Sequence, residues 1–268
     1  MINKYKKILI CLFILVSFLF FIFNKIQNNQ IEDIKKRGEL LVGTTGDYQP
    51  MSYLDPETNK YVGFDIALSK DLAQSLGVNV KYIPTSWPTL MEDVTAKKFD
   101  LAICGITITD ERKKQALMSE SYMKNGKTVL CRKEDEKKYI NLEAINNPNV
   151  RVMENPGGLN EKFAKEMLPK ADLIIHDINQ EIPNLVANKK ADVMITEFVE
   201  AKFYSKKDKR LAAPITDSPF TECQMGILMP KDNKILLKYV NKFLKQERNN
   251  GRLNELENIY IYGNGKNN

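Results

Sequence analysis

From Glu39 to about Thr196 the chain alternates short apolar runs with segments of helical periodicity, and this alternation leaves few folds open to it. Leu40–Thr44, Val78–Ile83, Leu101–Gly105, Val150–Met153, Leu173–Ile175 and Val193–Thr196 have the length and residue types of buried strands. Between them, Asp65–Leu76 (closed by Gly77), Thr89–Lys97, Asn160–Met167, Gln180–Asn188 and Glu197–Ser205 fit helices. Such alternation predicts mostly parallel sheets covered by helices on both faces. Two series occur, before and after about Arg132, and the charged stretch Lys133–Lys138 is the expected separator. A strand-like run, Cys223–Met229, and a long helix over Asp232–Arg248 then come without a further strand–helix pair, as expected of a chain rejoining its first lobe. The expected fold is therefore α/β with two lobes and a ligand cleft between them. Residues 30–130 plus 222–262 form lobe 1, 131–221 form lobe 2, and 263–268 are a polar tail. A chain of 268 residues is long enough for both cores.

A hydrophobic segment precedes this pattern. Met1–Lys7 is basic and Ile8–Phe23 is an apolar run, so the chain beyond residue 23 is expected on the far side of a membrane. The run ends in Asn24-Lys25-Ile26-Gln27-Asn28-Asn29, with no small-residue cleavage pattern. That favours an uncleaved signal-anchor over a cleaved signal peptide, with residues 8–23 in the membrane and flanking lysines reaching the interface. Bulky Ile10 before Cys11 argues against lipoprotein processing.

Charge and cysteine content narrow the function classes. Lys4, Lys6, Lys7 and Lys25 supply four of the net +6, leaving the rest of the chain at only +2. No basic stripe interleaved with aromatics exists, so nucleic acid is not an expected partner. Outside the anchor, Cys104, Cys131 and Cys223 are odd in number and lack C-x-x-C spacing, which supports neither a disulfide scaffold nor a metal site. A Cys131–Cys223 bridge stays open for an oxidising compartment. His176 is the single histidine, which disfavours His-based triads and His-rich metal sites.

In open α/β sheets ligands bind beyond the carboxyl ends of strands. The segments there are Thr44-Thr45-Gly46-Asp47-Tyr48-Gln49-Pro50, Pro84-Thr85-Ser86-Trp87-Pro88 and Gly105-Ile106-Thr107-Ile108-Thr109-Asp110-Glu111-Arg112. The second series contributes Asn155-Pro156-Gly157-Gly158 and Thr196-Glu197. Together they offer the glycines, hydroxyls, aromatics and charges that a small carboxylated ligand needs.

Val42-Gly43-Thr44, Tyr48-x-Pro50, Gly63-Phe64-Asp65-Ile66, Trp87-x-x-Leu90, Phe99-Asp100 and Ile108-Thr109-x-Glu111-Arg112 resemble extracellular solute-binding family 3, the polar amino-acid binders of ABC importers. The resemblance spans nearly all of residues 37–262. It implies a periplasmic-binding-protein-like (type II) fold with Arg112 clamping the ligand carboxylate, a task suited to a guanidinium fork. The competing reading of Arg112 is a solvated residue at a helix start.

A narrower resemblance is to periplasmic cyclohexadienyl dehydratase. It is carried by Gly43-Thr44-Thr45-Gly46-Asp47-Tyr48-x-Pro50, Pro84-Thr85-Ser86-Trp87-Pro88-x-Leu90-Met91 and Asn125-Gly126-Lys127-Thr128. Asn155-Pro156-Gly157-Gly158-x-Asn160-Glu161-Lys162-Phe163-Ala164 and Thr196-x-x-x-Glu200-Ala201 complete the match. The resemblance implies a cofactor-free lyase acting on prephenate or arogenate, with Glu200 as the acid. Thr45, Asp47, Tyr48, Ser86, Trp87, Thr107, Asn155, Gly158 and Glu197 would shape the site around Arg112. Glu197 and Glu200 stand three apart at a helix start, and two carboxyls close together raise the pKa of one. The bland alternative is an acid favoured at a helix N-terminus. Departures from the pattern are Leu159 in place of Thr, Glu197 in place of the Asp that pairs with a ligand ammonium, and Met51 and Met118 in place of aromatics.

The alternative function is a non-catalytic amino-acid-binding protein delivering its ligand to an ABC permease. A sensor input domain ranks third, because the sequence carries no cytoplasmic signalling module after the lobes.

Overall fold

The computed structural model describes residues 30–263, so the expected anchor and most of the polar tail lie outside the described residues. Two five-stranded sheets share one plan. In the first, Asn79–Pro84, Glu39–Thr44 and Leu101–Ala102 run parallel; Leu228–Met229 comes next, antiparallel, and Leu117–Met118 pairs antiparallel with it. In the second, Asp172–Ile175, Arg151–Glu154 and Val193–Glu197 run parallel; Lys127–Arg132 is antiparallel to Val193–Glu197 and also to Leu211–Ala212. Four of five strands in each sheet thus point one way, and the reversed strand comes from chain that has just crossed from the other lobe. The crossings pair with each other, Met123–Asn125 antiparallel to Cys223–Met225.

Burial explains why these segments become strands. Successive side chains leave opposite faces of a sheet. Val129 and Cys131 pack with Val152, Val193 and Ile195 on one side of the second sheet, while Leu130, Met153 and Met194 join Ile182, Val186 and Tyr204 on the other. In the first lobe the helix Phe64–Leu76 ends at Gly77 (φ +74), whose N–H caps the Ala73 and Gln74 carbonyls. The C-terminal helices Lys234–Asn249 and Arg252–Tyr260 do rejoin this lobe. Leu236, Val240, Phe243 and Leu244, spaced for one helical face, pack with Leu40, Val42 and Leu72.

The structure corrects several expectations. The lobe boundary at 130/131 falls inside the strand Lys127–Arg132, all of which belongs to the second sheet. The crossing therefore lies at Met123–Asn125. Lys133–Lys138 is no separator: it begins with a 3-10 turn, Lys133–Asp135, where Asp135 and Asp192 pair with Arg132. Leu101–Gly105 is strand only at Leu101–Ala102, because Gly105 turns the chain at φ +72. Cys223–Met229 splits into Cys223–Met225 and Leu228–Met229, one at the crossing and one in the first sheet. Cys104, Cys131 and Cys223 are free thiols, so no Cys131–Cys223 bridge forms. A three-stranded sheet of Asp47–Tyr48, Ser52–Asp55 and Lys60–Val62 was not anticipated. No described helix is long and apolar enough to cross a membrane.

Candidate functional site

The lobes meet over a cavity of about 30 Å³, room for about two or three waters, lined by Tyr48, Trp87, Gly105, Thr107, Arg112, Asn155, Gly158, Leu159, Asn160, Asn179 and Glu197. First-lobe loops form one wall. Thr109 caps the helix Asp110–Gln115 by accepting the Arg112 N–H at 3.2 Å, which fixes Arg112 one turn from the strand-end loop. Its guanidinium Nη1 donates to the Thr107 carbonyl at 2.7 Å. Burial lowers its pKa from the usual arginine value, and among the described residues it forms no ion pair. Trp87 donates its indole N–H to Asp47 at 3.2 Å and meets Tyr48 edge-on, with ring centroids 6.1 Å apart.

The second lobe supplies the opposite wall. Gly158 precedes the nine-residue helix Leu159–Met167 without a side-chain cap, so unpaired N–H groups and the positive helix end lie at the cavity rim. Glu197 ends the central strand and starts the helix Phe198–Lys207. One of its oxygens takes the Lys127 ammonium and the other accepts the Tyr48 hydroxyl at 2.9 Å. Lys127 also donates to Asn160, and the Lys127 and Glu197 side chains are each only 8% exposed.

Behind this wall lies Glu200, fully buried in the first turn of the same helix. It accepts the Thr196 hydroxyl and, at 3.4 Å, the Asn179 amide. Burial pushes its carboxyl well above the usual range; the Thr196 bond offsets this in part, and the Glu197 and Asp47 charges add to it. Glu154, at the end of its strand, is buried too. It accepts the Ile195 N–H at 2.6 Å, its second oxygen has no partner, and burial raises its pKa well above the ordinary value.

Contacts across the cleft hold the lobes together. Asn179 donates to the Asp47 carbonyl at 3.0 Å and Gln180 to the Gly46 carbonyl at 2.8 Å. Lys162 bridges to Glu111 at 2.9 Å on the rim, beside outer clefts of about 500 and 410 Å³.

Of the residues expected from sequence, the structure brings Tyr48, Trp87, Thr107, Arg112, Asn155, Gly158 and Glu197 to the cavity. Thr45, Asp47, Ser86 and Glu200 are not on its wall. Asp47 is spent on Trp87, and burial raises its pKa. Ser86 is exposed and bonds Thr89 at 2.8 Å. Sequence reasoning assigned no role to Lys127 or Asn160, although both stand in its matched strings, and it missed Asn179, which no local signal marks. His176 pairs at the surface with Glu181 at 2.7 Å. No described group of three or more His, Cys, Asp or Glu is placed to hold a metal ion.

Comparison with known proteins adds to this geometry. The model of bacterial extracellular solute-binding proteins, family 3, matches residues 40–263. Cyclohexadienyl dehydratase of Pseudomonas aeruginosa is 38% identical over 229 residues, 85% of each chain. The crystal structure of an ancestral amino acid-binding protein, a precursor of cyclohexadienyl dehydratase, is similar at TM-score 0.80 and 37% identity, over 86% of this chain and 99% of that one. An ancestral cyclohexadienyl dehydratase shares 51% identity at TM-score 0.55, over 87% and 96%.

Proposed function

The chain belongs to the bacterial extracellular solute-binding proteins, family 3, and within that family we propose that it is a lyase of the cyclohexadienyl dehydratase kind. The reaction converts prephenate or arogenate to phenylpyruvate or phenylalanine. The observation that carries this reading is Glu200, a fully buried carboxyl whose pKa burial raises well above the ordinary value, beside a cavity whose wall carries Arg112, which has no ion pair among the described residues.

Arg112 and the N-terminus of the helix Leu159–Met167 hold a carboxylate of the substrate. The ring carboxylate leaves as carbon dioxide, and its bonding pair becomes a ring double bond. The ring hydroxyl is expelled and takes the Glu200 proton, leaving as water. Aromatisation drives the step, so no cofactor takes part. The closed cavity is too small for such an acid. The lobes part to admit it and close again, with Asn179 yielding to bring Glu200 within reach of the leaving oxygen. The family is extracellular by description, and this reading takes residues 8–23 as the tether to the membrane.

A second reading, an amino-acid-binding protein serving an ABC permease, is favoured by the likeness to the ancestral amino acid-binding protein. The experiment that separates the two is incubation of the protein with prephenate while phenylpyruvate is followed by absorbance. Turnover upholds the lyase. No turnover with prephenate or arogenate, together with thermal stabilisation by a polar amino acid, sinks it in favour of the binder.

A further inference from the structure

We infer that the site selects a 2-oxo acid over the corresponding 2-amino acid, because the carboxylate facing the cavity is already neutralised by a lysine of the protein itself. The inference rests on the lyase reading, in which it means prephenate over arogenate.

Glu197 is the carboxylate on the cavity wall, and both of its oxygens are committed, one to the Lys127 ammonium and the other to the Tyr48 hydroxyl. The pairing is built into the sheet: Glu197 and Lys127 stand directly opposite in the antiparallel register of Val193–Glu197 and Lys127–Arg132. Asn160 holds the ammonium from a second side. With each side chain 8% exposed, water does little to screen the pair, and moving Lys127 aside would strand a buried carboxylate.

No other acid is ready to receive a ligand ammonium. Glu200 and Glu154 are fully buried behind the wall, where loss of solvent disfavours their charged forms, and Asp47 is engaged by Trp87 away from the wall. Apart from neutral amide oxygens, that of Asn179 being buried without a partner, the uncommitted groups at the cavity are donors or cations. Arg112 has no counter-ion, the Asn155 side chain has no partner among the described residues, and the helix Leu159–Met167 presents its N–H end. A 2-oxo oxygen accepts from such groups. A ligand ammonium would instead meet Lys127 and Arg112 in a poorly screened space. A ligand ammonium that finds neutral acceptors but no uncommitted carboxylate, beside two cations, is disfavoured by about 100-fold.

The test compares kcat/KM of the full-length protein for prephenate and arogenate. It also records melting temperatures with L-arginine, L-glutamine and L-phenylalanine, for the wild type and Lys127→Met. Prephenate is expected to be preferred by about 100-fold or more. None of the three amino acids should shift the wild type, and at least one should stabilise Lys127→Met, where Glu197 is released. Lys127→Gln serves if the methionine variant does not fold. Comparable kcat/KM for the two substrates overturns the inference and leaves the lyase standing. If neither substrate is turned over, the lyase reading falls and the melting series decides. A gain confined to the Lys127 variants upholds the selection, whereas a shift of the wild type overturns it.

Discussion

Replacing Glu200 by Gln separates two consequences of one burial. The carboxyl is fully buried, accepts from Thr196 and Asn179, and is held protonated chiefly by loss of solvent. Glutamine has the same shape, carries no charge and can keep both partners, so the fold should tolerate it. If Glu200 is the acid, kcat should fall about 100- to 10,000-fold. The stability effect has a definite sign. A folded-state pKa above the unfolded value of 4.5 gives stability fully present below pH 4.5 and lost as pH rises towards the folded value. Across that window the wild type loses about 1.4 kcal/mol per pH unit from this group, and the variant loses none of it. Glu154, raised chiefly by burial, titrates in both proteins; the Glu200 charge also raises it, so loss of that charge in the variant adds to the gain in the same direction. The variant should therefore gain on the wild type by about 3–6 °C in Tm per pH unit above 4.5. Calorimetry from acid to neutral pH, paired with prephenate turnover, reads both effects. A pH-independent Tm difference would show that Glu200 is not held neutral, and wild-type turnover in the variant would refute its role as the acid.

The geometry sets three further outcomes. Arg112→Gln should weaken substrate binding about 100- to 1,000-fold, ~3–4 kcal/mol, and leave Tm within a few degrees, since Arg112 has no ion pair among the described residues; unchanged KM would remove it from the site. Asp65 is buried at the start of the helix Phe64–Leu76, accepts the Gly105 N–H and Tyr122 hydroxyl, and is pushed by burial from 3.8 up to about 7. Its stability contribution is present below pH 3.8 and lost towards about pH 7, so Asp65→Asn should gain on the wild type by up to ~4 kcal/mol across that range and then level off; denaturation giving a flat difference would contradict this. Gly157 has φ +80 and faces Pro88 of the opposite lobe, where an added Cβ would stand 2.7 Å from the Pro88 Cγ and 2.9 Å from its Cα. Gly157→Ala should hinder closure and raise KM about 10-fold or more while the protein still folds, and unaltered KM would mean that the lobes do not close this far.

How much was legible in the sequence depended on the range of the interaction that decided each feature. Helix Phe64–Leu76 with its Gly77 cap, the strands Glu39–Thr44 and Arg151–Glu154, and the amphipathic helix Lys234–Asn249 are set by neighbours within a turn or by a face pattern, and their approximate positions could be read directly. The parallel alternation likewise announced the two-lobed plan. The strand Lys127–Arg132 escaped because a fully buried strand has no alternation, and only its partners in the second sheet reveal which lobe it joins. The same applies to the site. Arg112 and the glycine-rich loop at Gly158 were visible as residue types at strand ends. The tertiary structure alone set Lys127 against Glu197 across 70 residues and brought Asn179 across the cleft to Asp47 over 132 residues. It alone also withdrew Glu200 from water and thereby decided its charge. Sequence patterning records what each segment needs from its surroundings; burial and partnership, which fix pKa values and empty or fill an ion's coordination, exist only once distant segments meet.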